Sequence, residues 1–414
     1  MEMVNDLYPK HIPELLEDGC ISMELIDQRA SEVLRTKFRA GLFEHPYTDP
    51  ERKKRVLRCP EFLQKNLELA AECMVLAKND GVLPIRPAER KRIAVVGPLA
   101  HERRPHLGTW VLNGVASDSL TLFEAITAQF PECEVVTPDC RMSDLDVKIA
   151  QTADVVVCCI GESHENTGET HSICRLKLPP GQEELIEALG QYDTPLVVLC
   201  ASGRPLPIPA AERHADALLY MWHGGTESTQ ALAQVIAGER DPGGRFPMTV
   251  PRHEGQIPVY YNRKLPGKTV EFGFEPHNYY DDEPFAPLYP FGFGLSYTNF
   301  ELSDIQSEKE QVRVGEKLVV NCTVSNTGPC AGSTVIQCYL RDPHSEICRP
   351  GKELAAFEKV YLAAGESRQV TLVVEATHLG YWLPSGDFQC DPGEIQWGLG
   401  FNSLVALDQT IELI

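Results

Sequence analysis

Between residue 92 and about residue 250 the chain alternates short apolar runs with amphipathic segments. The runs Arg92–Val96, 155–160, 196–200 and 217–221 are bounded by Gly, Pro or polar clusters. Segments such as 182–190 and 226–237 between them carry helical spacing. Continuous apolar strands separated by helices predict an α/β fold: a mostly parallel sheet with helices on both faces, an α/β sandwich. After residue 301 the period changes to two. Segments 318–325, 334–340 and 369–374 alternate, and the turn signals Asn326-Thr327-Gly328 and Ala364-Gly365-Glu366 separate them. That pattern predicts a small β-sandwich. At the other end, residues 1–48 read as helical. Ser22 suits an N-cap, Ile26, Ala30, Val33, Leu34 and Phe38 recur at three- and four-residue spacing, and Gly41 supplies the stop. Residues 61–79 read as a further amphipathic helix ending in Lys78-Asn79-Asp80-Gly81. A Pro/Gly/aromatic stretch near 251–300 ends in Tyr289-Pro290-Phe291-Gly292-Phe293-Gly294-Leu295-Ser296-Tyr297. No internal repeat or low-complexity tract interrupts the chain.

Composition narrows the function classes. At 414 residues the chain should hold two or three domains, and 43% hydrophobic with 23% charged residues is ordinary for a globular protein. A net charge of −21 argues against nucleic acid or an anionic membrane, which call for clustered Lys and Arg. No apolar run reaches the roughly 18 residues of a membrane span. A neutral sugar is compatible with such a surface, as are many other ligands. No basic stretch followed by an apolar core marks a signal peptide. Of the 14 cysteines, Cys158 and Cys159 are adjacent inside one apolar run and Cys200 ends another, so they read as buried thiols. No zinc spacing is present, and reduced thiols in a cytoplasmic protein are the expectation.

Two loops could carry chemistry. Ile93-Ala94-Val95-Val96-Gly97-Pro98-Leu99-Ala100 ends a strand at a glycine turn but lacks the spacing of a nucleotide fingerprint, and Pro98 removes an N–H that would face a phosphate. It reads as a crossover that places Gly108-Thr109-Trp110. The loop Gly161-Glu162-Ser163-His164-Glu165-Asn166-Thr167-Gly168-Glu169-Thr170-His171-Ser172 leaves the carboxyl end of a buried strand, where open α/β sheets bind ligands. Its three carboxylates and two histidines suit proton transfer. Composition alone equally fits an ordinary solvated loop, or a His/Glu metal site, although the spacing matches no familiar metal pattern. No metal or other cofactor is expected.

Leu15-Leu16-Glu17-Asp18-Gly19-Cys20-Ile21 followed by Phe38-Arg39-Ala40-Gly41-Leu42-Phe43-Glu44 resembles the junction after the barrel of the family 3 glycoside hydrolases, the bacterial β-glucosidases and β-xylosidases. Met74-Val75-Leu76-Ala77-Lys78-Asn79-Asp80-Gly81-Val82-Leu83-Pro84-Ile85 resembles the next stretch. Gly203-Arg204-Pro205, Gly224-Gly225-Thr226-Glu227, Asp241-Pro242-Gly243-Gly244-Arg245-Phe246-Pro247 and residues 289–297 follow in order. Asn326-Thr327-Gly328 and Arg349-Pro350-Gly351-Lys352-Glu353-Leu354 resemble its fibronectin-III-like module.

The resemblance implies a domain plan. Residues 1–60 would be a helical remnant of a (β/α)8 barrel plus linker, 61–265 the α/β sandwich, 266–300 a connector, and 301–414 a fibronectin type III-like domain. It implies Glu169 as the acid/base of a retaining glycosidase, with Trp110 and His171 as substrate-binding residues. Trp110 would stack on a pyranose face; as an ordinary half-buried tryptophan it would do nothing of the kind. Where the family has Arg one residue after Ser172, this chain has Ile173, and Arg175 lies two further on. Met1-Glu2-Met3 resembles a segment near the last barrel strand. The family's Asp nucleophile would then lie upstream, and the chain alone is expected to be nearly inactive. The implied partners are a β-linked gluco- or xylo-oligosaccharide or aryl glycoside, and a barrel-containing subunit or a second copy. A non-catalytic carbohydrate-binding or scaffolding protein on the same fold is the alternative.

Overall fold

The computed structural model describes residues 3–138, 144–264 and 280–414, so residues 1 and 2 of the first motif and 266–279 of the expected connector lie outside the described residues. The chain divides into two units, Met1–Phe62 and Leu63–Ile414.

The first unit holds helices α1 (Leu7–Glu17), α2 (Met23–Arg39) and α3 (Pro50–Val56). The expected cap is present: the Ser22 hydroxyl accepts from Leu25 N–H at 3.3 Å, and Gly41 leaves the helix at φ +67°. Phe38 folds onto Phe43 with centroids 4.3 Å apart. No residue of these three helices is buried, and Val33, Leu34 and Phe38 stand 37%, 46% and 58% exposed. Fully burying each would be worth about 1.5–3 kcal/mol, and within this unit nothing supplies that burial.

The second unit begins within helix α4 (Pro60–Cys73), and β1 (Val75–Asn79) follows at once. The single helix expected over 61–79 is therefore a helix and then a strand. Leu67, Ala70, Ala71 and Met74 keep helical spacing, but Val75, Leu76 and Ala77 are all buried in an unbroken run. Periodicity cannot separate a buried strand from a buried helix turn. The freed carbonyls find partners elsewhere, Cys73 O from Trp222 Nε1 at 3.1 Å and Met74 O from Gly244 N–H at 2.9 Å.

Strands β2 (Arg92–Val96), β3 (Glu134–Val136), β4 (Val155–Gly161), β5 (Leu196–Ala201) and β6 (Ala217–Tyr220) complete a six-stranded sheet of order β1-β6-β5-β4-β2-β3. All neighbours are parallel except the edge pair β1–β6. One core lies on each face. Ile93, Val95, Val157, Cys159 and Leu199 point to the side of α4, α5 (Leu122–Gln129) and α9 (Ser228–Ile236). Ala94, Val96, Cys158, Ile160 and Cys200 point to the side of α6 (Asp144–Ala150), α7 (Gln182–Leu189) and α8 (Pro209–His214). Cys158 and Cys159 thus serve opposite cores, as adjacent strand residues must.

The last segment is a β-sandwich. Strands β7 (Phe300–Ser307), β8 (Gln311–Val312), β9 (Leu318–Asn326), β10 (Gly332–Arg341), β11 (Glu353–Leu362) and β12 (Ser367–Val374) precede a short helix and a small hairpin. The helix is α10 (Ala376–Leu379), and the hairpin pairs β13 (Tyr381–Trp382) with β14 (Phe388–Gln389). Strands β15 (Gly393–Gly400) and β16 (Gln409–Leu413) end the chain. A sheet of order β11-β10-β15-β16-β8 faces one of order β12-β9-β7 across a core containing Val320, Val324, Leu340, Leu372 and Trp397.

The contrast between the units has a measurable consequence. Segments with few buried contacts open at low free-energy cost. Limited proteolysis should cut within residues 3–57 before any cut appears in β4, β5 or β10. Equal resistance across the chain would show that the α2 stripe is covered.

Candidate active site

The chain crosses from β3 at one edge of the sheet to β4 on the other side of β2, so the strand order reverses between β2 and β4. Crevices at the carboxyl ends of strands flanking such a reversal are where open α/β sheets hold ligands. The loop after β2 carries Trp110, and the loop after β4 carries Glu162, Glu165, Glu169 and His171. Topology sets the loops that carry the three expected site residues at the same end of two adjacent strands.

The loop after β4 starts with a backbone that only glycine tolerates. Gly161 has φ +137°, and a Cβ there would sit 1.9 Å from Ala201 O. The Gln182 side chain binds both backbone polar groups of this residue, accepting from Gly161 N–H at 2.8 Å and donating to Gly161 O at 2.9 Å. Glu162 then turns inward and is buried. Its carboxylate pairs with the Arg204 guanidinium and accepts from the Ser202 hydroxyl at 2.6 Å. Glu162 is therefore committed to the interior.

Past a short 3-10 turn (His164–Asn166), Thr167 is buried while Glu169, Thr170 and His171 are exposed. Gly168 (φ +108°) and Thr170 (φ +68°) bend the chain, and His171 N–H closes the turn on Gly168 O at 3.1 Å. Glu169 sits at the apex. Among the described residues its carboxylate has no hydrogen-bond partner.

The two loops are fastened together just before their functional residues. Thr109 donates its hydroxyl to Thr167 O at 2.8 Å, and a Cβ at Gly168 would come within 2.5 Å of Thr109 Cγ2. Trp110 follows directly and is 68% exposed, which sets aside the half-buried reading. Its loop is rooted in two histidines that sequence reasoning overlooked, His106 buried and His223 half-buried. His106 donates Nε2–H to Glu102 O at 2.9 Å, and His223 donates Nδ1–H to Pro105 O at 2.7 Å. The second nitrogen of each ring has no hydrogen-bond partner among the described residues, which disfavours a second ring proton. Burial pushes His106 down from its ordinary value to about 4 and lowers His223 as well.

Beside the Glu169 loop opens a cleft of about 310 Å³ lined by Glu162, Asn166, His171, Ile173, Arg175 and Lys177. Arg175 is exposed and 3.6 Å from Glu254. Ile173 is 41% exposed where the resemblance would have an arginine. Among the described residues, no group of three or more His, Cys, Asp and Glu is arranged to hold a metal ion.

Residues 74–297 match the model of the glycosyl hydrolase family 3 C-terminal domain, and residues 334–403 match a fibronectin type III-like domain. A periplasmic β-glucosidase of Salmonella typhimurium is 33% identical, over 100% of this chain and 59% of its own length. A β-xylosidase of Formosa agariphila is 30% identical over 94% of this chain and 55% of its own. The crystal structure of a mutant β-glucosidase from Listeria innocua in complex with laminaribiose superposes with a TM-score of 0.88 at 33% identity. That match covers 100% of this chain and 58% of the other. The chain thus spans less than two thirds of these relatives.

A histidine held below its unfolded pKa binds a proton more readily when the chain unfolds, so its contribution is lost as pH falls. For His106 the loss begins below about pH 6.5, the unfolded value, and runs toward its folded value of about 4. Between pH 7 and 4.5 the wild type should lose about 2–3 kcal/mol more stability than His106→Gln, at 1.36 kcal/mol per pKa unit. Urea unfolding at both pH values reads this difference. Parallel losses in the two proteins would show that His106 protonates freely in the folded state.

Proposed function

The chain belongs to glycosyl hydrolase family 3, and on that premise we propose that it supplies the acid/base carboxyl, Glu169, for retaining hydrolysis of terminal β-glycosides. The observation that carries this reading is the apical, partnerless carboxylate of Glu169, on a turn fastened to the loop of an exposed tryptophan at the sheet's switch point. Glu162 is spent on an ion pair, and Glu165 lies back on the 3-10 turn. A carboxyl open to the crevice can give its proton to a leaving oxygen. As a carboxylate it can then take one from water in the second step. Trp110 offers a flat apolar face to a pyranose ring, and His171, two residues beyond Glu169, can donate to a sugar hydroxyl. The names of the relatives point to gluco- and xylo-configured substrates.

Retaining hydrolysis also needs a nucleophilic carboxylate about 5–5.5 Å from the acid/base. We assign that group to a (β/α)8 barrel, joined to or assembled with these residues. General acid–base catalysis contributes typically about 10²–10⁴-fold, whereas enzymes accelerate reactions by about 10⁶–10¹⁷-fold. The purified 414-residue chain should accordingly release almost no product from an aryl β-glucoside. Turnover at ordinary glycosidase rates that Glu169→Gln abolishes would overturn this assignment.

With the barrel supplied, Glu169→Ala should cut turnover of substrates with poor leaving groups by about 10²–10⁴-fold. Activated aryl glycosides need no proton from the enzyme and should lose far less. Azide, standing in for the water that Glu169 activates, should partly restore the activated substrates. Equal losses on both classes without azide rescue would move the acid/base role elsewhere, first to Glu165.

A further inference from the structure

We infer that Arg204 is the positioning residue of the Glu169 turn, tying both ends of that turn to the buried Glu162 carboxylate; this rests on the reading of Glu169 as acid/base. Arg204 lies just beyond β5, far along the chain from the turn. Its Nη1 pairs with Glu162 and also donates to Asn166 O at 2.9 Å. Its Nη2 donates to His171 O at 2.6 Å. Asn166 and His171 are the residues that bracket Thr167-Gly168-Glu169-Thr170. One planar guanidinium therefore fixes the entry and the exit of the segment that carries the proton donor.

The clamp is itself held from below. The Ser202 hydroxyl donates to Glu162 and accepts from Arg204 N–H at 2.9 Å, so acid and base are both tied to one residue. Glu162 is fixed in turn by its own N–H to Ala201 O at 3.0 Å. The Glu169 carboxylate has no partner of its own among the described residues, so the direction it points is set by the backbone of the turn. Thr109 fastens the turn only on its entry side, at Thr167. On the exit side, among the described residues, the Arg204 contact to His171 O ties the turn to the segment just beyond β5. Lysine cannot replace this arrangement. A single ammonium on a flexible stem lacks the forked geometry that serves a carboxylate and two carbonyls together.

Arg204→Lys keeps a positive charge beside Glu162 and removes the fork, which makes it the informative variant. Hydrogen exchange of the 414-residue chain should be at least about tenfold faster in peptides covering 163–173, with β4 and β5 unchanged. In the enzyme completed by its barrel, the same variant should lower kcat on poor leaving groups at least tenfold, leave KM nearly unchanged, and affect activated aryl glycosides much less. Should Arg204→Lys fail to fold, the double variant E162Q/R204M removes both charges together and avoids stranding one of them. Unchanged exchange over 163–173 in a folded variant would overturn the inference. So would equal kcat losses on both leaving-group classes, the mark of a merely structural residue. A loosened turn together with a Glu169→Ala variant that treats both substrate classes alike would keep the clamp and remove the acid/base reading, so the two failures are told apart.

Discussion

A carboxylate taken out of water needs its charge balanced and its oxygens hydrogen-bonded on the spot, because the penalty for an unpaired one is several kcal/mol. Glu162 imposes that demand at the carboxyl end of β4, and the local architecture answers it. Ser202 and Arg204, immediately after β5, supply the hydroxyl and the guanidinium. They can do so because β4 and β5 are parallel neighbours in register through Gly161 and Ala201. That register is possible only with glycine at 161, where a side chain would collide with Ala201 O. A strand pairing, a glycine and an ion pair thus form one dependent set, and the loop that leaves it inherits its position.

How much of this could be read from the sequence depended on whether the signal was local. The strands at 92, 155, 196 and 217 announce themselves as continuous β-branched and aliphatic runs, and all four form with ends within one residue of the reading. After 301 the segments 318–325, 334–340 and 369–374 were legible and fall within β9, β10 and β12, while β7, β11, β15 and β16 were not read. The boundary inside 61–79 was not, because its helical and strand halves are both apolar and merge into one pattern. Glu169, Trp110 and His171 were singled out only through resemblance; their composition is that of any polar loop. Gln182, Ser202 and the histidine pair carry no local signature, since each matters through a partner brought near by the sheet.

The sandwich that ends the chain is joined to the α/β domain by polar contacts, several of them part-buried, rather than by apolar area alone. Asp241 accepts from Tyr297 N–H at 3.0 Å, from Ser296 Oγ at 2.6 Å and from Ser333 N–H at 2.9 Å. Arg245 donates to Ser333 O, and the Gln337 side chain donates to Gly292 O. Lys359 on β11 binds Glu72 of α4 and Gly243 O. Charge-assisted contacts of fixed direction specify one docking geometry, where a smooth apolar interface would permit sliding. The fibronectin-like domain therefore braces the helix layer behind the sheet, on elements remote in sequence from the two loops of the crevice.

The crevice itself separates rigidity from chemistry. Its exposed groups, Trp110, Glu169 and His171, stand where a ligand could reach them, and none is buried. The groups that hold them, His106, Thr167 and Glu162, lie inside. Because β2 and β4 are adjacent strands, their loops emerge side by side and need only the Thr109–Thr167 contact to become one surface. A proton donor, the role proposed for Glu169, would gain from this arrangement in a specific way. Its carboxyl group is exposed and has no protein partner among the described residues, so no internal hydrogen bond would have to break when it gives up a proton. Its backbone is meanwhile held by side chains that are buried or half-buried, Thr167, Glu162 and Arg204. Preorganisation is then supplied by the frame, and the cost of keeping a partnerless acid in place falls on buried pairs such as Glu162 with Arg204 rather than on the acid itself.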